Sequence, residues 1–169
     1  MTELSMAASP GAVRLDRVIE ALPAGFETMR AEALAAGYRL LERLMADWES
    51  GTLPFTKPGE VLLAPYSDGV LAGIGGITVD PVIPEALRMR RFYIREPFRR
   101  HGIGQQLVLA LLAQAVGRVG PVTVNAAAGS APFWEALGFT RDARAGHTPP
   151  EFRRVGCRDI CAAAGRKQG

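Results

Sequence analysis

The 169 residues are 48% apolar and carry 20 basic and 17 acidic side chains, for a formal charge of +3. That is enough for one domain with a buried core and short for two. No stretch approaches 18 uninterrupted apolar residues, and Glu3 stands where a secretory signal needs a basic start. A membrane span and a signal peptide are therefore not expected, and the chain reads as soluble and cytoplasmic.

Residues 1–11, with Ser9-Pro10-Gly11, read as a loose lead, 12–164 as the folded domain and 165–169 as a frayed tail. A strand is expected from Val13 to Ile19, then helices from Phe26 to Ala36 and from Tyr38 to Ser50, divided at Gly37. In the second helix Leu40, Leu41, Leu44, Met45 and Trp48 form an apolar stripe. Thr52 to Gly59 is a loop before a strand from Glu60 to Tyr66, and Ser67-Asp68-Gly69 supplies a hairpin turn into Val70 to Val79. Asp80 to Glu85, with Pro81 and Pro84, is a further loop, and Arg88 to Ile94 the next strand.

Residues 88–100 hold six arginines (Arg88, Arg90, Arg91, Arg95, Arg99 and Arg100) against Glu96 alone, a local charge of +5. The rest of the chain is then net negative, so the basicity is concentrated rather than spread. That favours an anionic cofactor over nucleic acid, since no Lys-rich run or aromatic platform accompanies the cluster. Directly after it, Arg99-Arg100-His101-Gly102-Ile103-Gly104 ends the strand and opens a helix whose apolar face is Ile103, Leu107, Leu111 and Ala115, widened by Val108 and Leu112. Glycine lets backbone turn tightly and approach a ligand closely, and the first N–H groups of a helix point outward with the positive end of its dipole. Such a junction suits a pyrophosphate; the structural alternative is a plain glycine-capped connection.

Two common phosphate motifs fail here. A P-loop requires Lys and then Ser or Thr after its last glycine, whereas Gln105 and Gln106 follow Gly104. A dinucleotide fingerprint requires a third small residue, where Leu107 stands, and an acidic ribose ligand about 20 residues on, where Asn125 is the nearest polar substitute.

The run from Arg91 to Gly104, with its Arg-x-x-Gly-x-Gly and the Pro two residues before Arg99, resembles the fourth strand and pyrophosphate loop of the GNAT superfamily of acyl-CoA-dependent N-acetyltransferases. Downstream, Val122-Thr123-Val124-Asn125 reads as a short strand. Ala131-Pro132-Phe133-Trp134-Glu135-Ala136-Leu137-Gly138-Phe139 looks like the family's next helix and Leu-Gly-Phe strand start. The resemblance implies an α/β fold, a single domain with a mixed central sheet flanked by helices and splayed between its fourth and fifth strands. It implies direct attack of a primary amine of a small molecule or peptide on acetyl-CoA, with no metal and no covalent enzyme intermediate. Dimers are common in the superfamily, but nothing in these residues specifies an interface.

By the same resemblance the backbone N–H groups of Arg100, His101, Gly102, Ile103, Gly104 and Gln105 meet the pyrophosphate, with Arg99 beginning the loop. Main-chain N–H groups of Phe92, Tyr93 and Ile94 face the thioester oxygen, and Asn125, Phe133 and Trp134 lie along the cofactor. Trp134 stands where the family often has a Tyr that protonates the departing thiolate, and indole is no such acid. A thiol of pKa about 8.5 leaves as thiolate at pH 7 for about 2 kcal/mol, whereas deprotonating an amine of pKa about 10.4 costs about 4–5 kcal/mol. The base therefore matters more than the acid. Candidate bases are His147, Glu49, Glu60 and Asp80; Tyr93 and Ser130 are candidate acids, set against sheet packing and a helix N-cap respectively. Trp48 and Phe55 are candidates for lining an acceptor pocket. A non-catalytic acetyl-CoA-sensing domain is the alternative function.

Cys157 and Cys161, four apart in an expected terminal strand, would lie roughly 13 Å apart, too far for a disulfide. Their spacing matches no common zinc or redox motif, so free thiols in a reducing compartment are expected.

Overall fold

Short runs rich in Val, Ile and Leu supply the strands. The computed structural model, which describes residues 12–116, 120–127, 129–141 and 151–154, joins eight of them into one sheet. They are β1 (Val13–Arg17), β2 (Val61–Ser67), β3 (Val70–Leu71), β4 (Gly73–Val79), β5 (Leu87–Ile94), β6 (Val122–Asn125), β7 (Thr140–Arg141) and β8 (Glu151–Arg154). The order is β1-β2-β4-β5-β6-β8-β7, with β3 paired to β2 off this path. The pairing of β5 with β6 is parallel and the others are antiparallel. Helices α1 (Phe26–Ala35) and α2 (Leu40–Ser50) cover one face, where Phe26, Met29, Leu41 and Leu44 pack with Leu62, Ile74 and Tyr93. Helices α3 (Ile103–Ala113) and α4 (Ala131–Ala136) cover the other, where Leu107, Leu111 and Trp134 pack with Ile77, Met89 and Val124. The mixed sheet flanked by helices expected from the sequence is the observed fold.

The boundaries differ in places. The expected strand from Val70 to Val79 breaks at Ala72, whose N–H bonds the Pro65 carbonyl at 2.8 Å while its own carbonyl accepts the Arg95 N–H at 2.8 Å. This extra strand makes β5 the counterpart of the expected fourth. β1 stops at Arg17, short of the expected Ile19: Val18 is buried and still bonds the Leu62 carbonyl, and Ile19 is exposed. The second helix begins at Leu40 instead of Tyr38, whose N–H closes the end of α1 on the Ala33 carbonyl. The lead 1–11, the tail 165–169, His147, Cys157 and Cys161 lie outside the described residues.

One buried carboxylate ties the centre of the sheet. Asp80, 2% exposed, accepts from the N–H groups of Val82 (2.8 Å) and Ile83 (3.0 Å), from the Thr123 hydroxyl (2.7 Å) and from Arg88 Nε (3.1 Å). It thereby joins the loop after β4 to β5 and β6 where those two strands are in register. Burial pushes its pKa up, but the bonds from Thr123, Val82 and Ile83 and the charge of Arg88 outweigh that and hold it below the usual carboxylate value. Its proton-accepting sites are taken, so it is not a free base.

A folded-state pKa below the unfolded value of about 3.9 means that the stabilisation is fully present above that pH and is lost as pH falls through the folded value. Asp80→Asn is therefore expected to cost on the order of 3 kcal/mol at pH 7, roughly 6–12 °C in Tm, and to flatten the fall in Tm below about pH 4. Calorimetry across pH on both proteins checks both effects.

Candidate active site

β5 pairs with β6 only over Leu87–Met89, opposite Val122–Val124; from Arg90 onward β6 is no longer beside it. On the other edge the β4 register slips between Ile74 and Gly76, so that Arg91 and Phe92 together oppose Gly75. Arg91 has φ +53, the left-handed conformation a bulge of this kind requires. Its guanidinium reaches Asp47 of α2 at 2.7 Å, and both side chains are largely buried, so the helix holds the bulge in place. The extra residue also resets the alternation. Phe92 turns to the α3 face, against Phe133 and Trp134, and Tyr93 to the α2 face, against Tyr38. Gly76, paired with Arg90, has no room for a side chain, which would overlap the Phe55 ring. From Arg90 to Ile94 the backbone thus has no ladder partner on its β6 side and borders a cleft.

At the end of β5 the chain makes a single 3-10 turn, Glu96–Phe98, and enters the glycine loop. Arg100 and Gly102 both have positive φ (+65 and +78), and α3 starts at Ile103. The first helical bond there is Gln106 N–H to the Gly102 carbonyl. Among the described residues the N–H groups of Arg100, His101, Gly102, Ile103, Gly104 and Gln105 have no backbone acceptor, which leaves six consecutive donors at the positive end of an 11-residue helix. Gly104 has a separate reason: a side chain would press on the Phe133 ring. Arg99 folds back, its Nε donating to the Ile94 carbonyl at 2.8 Å and its guanidinium 5.5 Å from the Tyr93 ring centre.

The splay and the loop open on one cavity of about 1220 Å³. Most of the residues carried over from the family line it: Phe92, Tyr93, Ile94, Arg99, Arg100, Gly102, Gly104, Gln105, Asn125, Ser130, Phe133 and Trp134. Ile103 instead points into the core, and His101 is exposed. Trp134 is 3% exposed and stacked edge-on among Phe92, Phe133 and Phe139 at 5.0–5.3 Å, so it builds the wall of the cavity as a core residue. Ser130 stands at the N-cap position, but its hydroxyl donates to the Ala127 carbonyl at 2.7 Å instead of accepting from the helix. Tyr93 is 6% exposed, and burial pushes its phenol above its usual pKa despite the nearby Arg99 charge.

Other candidates fall elsewhere. Glu60 is buried, accepting from the Lys57 and Val79 N–H groups. Glu49 is exposed on α2 and does not line the cavity. Trp48 and Phe55 pack in the α1/α2 core and are not pocket walls, because the Phe55 ring fills the space over Gly76.

The charge of the lining is one-sided. Arg88, Arg90 and Arg91 come from β5, Arg99 and Arg100 from the loop, and Arg39 and Arg43 from the start of α2; among the described residues no Asp, Glu or His lines the cavity. Arg88 and Arg91 are matched by Asp80 and Asp47. Arg90 donates through Nε to Thr78 Oγ1 at 3.2 Å, and burial followed by the Arg91 and Arg88 charges lowers its pKa from the usual arginine value. Arg39 and Arg43 were not singled out by motif. Their visible signal in the sequence is two like charges four apart at a helix start, an arrangement disfavoured both by each other and by the dipole.

Residues 41–148 match the family model of the acetyltransferase (GNAT) domain. The chain belongs to the GNAT family of acetyltransferases and is thereby an acyltransferase. A structure from Exiguobacterium sp. 255-15, proposed to be an acetyltransferase, is similar at TM-score 0.76 and 20% identity, covering 91% of this chain and 99% of that one. The yncA protein of Salmonella typhimurium, also proposed to be an acetyltransferase and solved with acetyl-CoA, is similar at TM-score 0.60 and 15% identity over 85% of this chain and 94% of that one. The paia N-acetyltransferase of Thermoplasma acidophilum, in complex with coenzyme A, gives 0.59 and 13% over 86% and 99%. No curated protein matches the chain.

The bulge makes a prediction about stability. Asp47→Asn should cost about 1.5–3 kcal/mol by removing a charged hydrogen-bond partner. Arg91→Gly should be more stable than Arg91→Ala by about 0.5–1 kcal/mol, the left-handed penalty less the entropic cost of glycine. Urea denaturation of the three variants measures both differences.

Proposed function

We propose that this chain transfers an acetyl group from acetyl-CoA to a primary amine of a small molecule or peptide by direct attack. The observation that carries the reading is the run of six N–H groups from Arg100 to Gln105 for which the described residues supply no backbone acceptor, opening into the same cavity as the gap between β5 and β6. The donors and Arg100, which has no carboxylate partner among the described residues, fit a pyrophosphate. The gap admits a narrow arm between the strands, with Asn125 and Phe133 along it, and leads to the backbone of Phe92, Tyr93 and Ile94. N–H groups there would donate to the thioester oxygen as charge develops on it, a contribution of about 3–4 kcal/mol per donor.

In the reaction the amine nitrogen forms a bond to the carbonyl carbon, the C–S bond breaks, the sulfur takes a proton and the new amide nitrogen loses one. Tyr93 is the proton donor we assign, since it carries a hydroxyl on the cavity lining and Ser130 already spends its hydrogen on Ala127. With no Asp, Glu or His in the described lining, the amine proton leaves through water. The alternative that the test must set aside is a domain that binds acetyl-CoA without turning it over.

Calorimetric titration with acetyl-CoA, set beside turnover with a panel of amines, separates the readings. Binding by the wild type and a loss of at least tenfold in an Arg99→Ala, Gly102→Glu double variant support the cofactor site; equal affinity for both proteins overturns it. Turnover establishes the transferase, and binding without turnover establishes the sensor. Tyr93→Phe should lower kcat at least tenfold with the KM for acetyl-CoA unchanged, measured by thiol release under saturating acceptor.

A further inference from the structure

The cavity is lined by more arginines than the glycine loop supplies. Arg99 and Arg100 stand at that loop, beside the donors assigned to pyrophosphate. Arg90, opposite Gly76, lies about 10 Å back along β5 from Ile94, opposite Gly73, at the residue where β6 leaves. Its Nε is held by Thr78, which fixes the guanidinium and leaves the two Nη groups to the cavity it lines. Arg39, Arg43 and Asp47 follow one another at intervals of four on α2, so they share a face, one turn or about 5.4 Å apart. Asp47 docks this face on β5 through Arg91 and is neutralised by it. Arg43 and Arg39 remain at the cavity edge, and neither they nor Arg90 have a carboxylate within ion-pair distance among the described residues.

Two like charges in register, at the end of a helix whose dipole repels them, are locally unfavourable, and a half-buried guanidinium without a counter-ion adds to this. Local conflicts of this kind concentrate where a ligand resolves them. The missing partner is an anion, and Arg90 stands on the side of the bulge away from the phosphate loop.

We propose that the acceptor is a small anionic amine, whose carboxylate or similarly shaped oxyanion is gripped by Arg90 and received by Arg43 and Arg39. The inference rests on the acetyltransferase reading above and narrows its acceptor. The planar fork of arginine matches two oxygens of such a group, whereas a polyamine or aminoglycoside would bring further positive charge against three arginines. The same field disfavours an ammonium beside it, which raises the fraction of neutral, nucleophilic amine in a site whose described lining holds no base.

The test uses the full chain saturated with CoA. It is titrated with α-amino acids, each paired with its own methyl ester, with the matching aminophosphonates and with spermidine; kcat/KM with acetyl-CoA is measured on the same panel. At least one acid or phosphonate should exceed its ester at least 30-fold, and Arg90→Gln and Arg43→Gln should each reduce that preference tenfold or more without changing the affinity for CoA. The phosphonate arm distinguishes the two oxyanions. Arg43 is exposed, so its variant reads the proposal even where Arg90→Gln does not fold, and Tm is followed for both. Esters or spermidine equal to or better than every acid would overturn the anionic acceptor while leaving the transferase in place, as would a preference that survives both substitutions. Failure of CoA to bind would overturn the transferase reading instead, and the acid–ester comparison is then made on the free protein by the same criteria.

Discussion

Between Met89 and Arg90, β5 loses its neighbour on one edge, and two residues later its ladder on the other edge slips by one. Most of the functional geometry follows from that double release. Strand backbone is ordinarily saturated by its neighbours, so exposing N–H groups inside a sheet requires a strand held firmly at one end and released at the other. The firm end is the Asp80 network, which bonds the β4–β5 loop, Arg88 and Thr123 together. The released end is kept in shape by the ion pairs of Arg91 with Asp47 and of Arg95 with Glu32, both reaching the helices on one face. Arg95 holds Glu32 through two bonds of 2.7–2.8 Å and also donates to the Leu71 carbonyl, which fixes where β5 ends and the glycine loop begins.

Electrostatically the molecule separates structural arginines from receptive ones. Arg88, Arg91 and Arg95 each meet a carboxylate and act as ties between elements. Arg39, Arg43, Arg90 and Arg100 line the cavity without one among the described residues. Together they put more positive charge along the cavity than the glycine loop alone presents, with an aromatic wall of Phe92, Phe133 and Trp134 between strand and helix. Burying that wall keeps it rigid, so Trp134 contributes shape where proton transfer is left to other groups.

The order of strands and helices, the glycine loop and the aromatic helix after β6 were all legible in the sequence, because each is a local matter of periodicity, turn residues and a short motif. What the local pattern missed has a common cause. The break at Ala72 depends on partners contributed by Pro65 and Arg95, and the bulge at Arg91 depends on Asp47, 44 residues away. Glu60 and Asp80 look like bases in the sequence and are hydrogen-bond acceptors for backbone in the fold. Phe55 looks like a pocket aromatic and is the ring that fills the space over Gly76.

The sequence by itself determined the class of fold, the site of the phosphate turn and the concentration of positive charge in residues 88–100, since these follow from residue spacing and type along the chain. Only the tertiary structure decided which of those arginines are neutralised, because their carboxylate partners come from α1, α2 and the loop after β4. It also decided that Arg39 and Arg43, about a third of the chain away from the glycine loop, complete the same cavity, through the packing of α2 on β5.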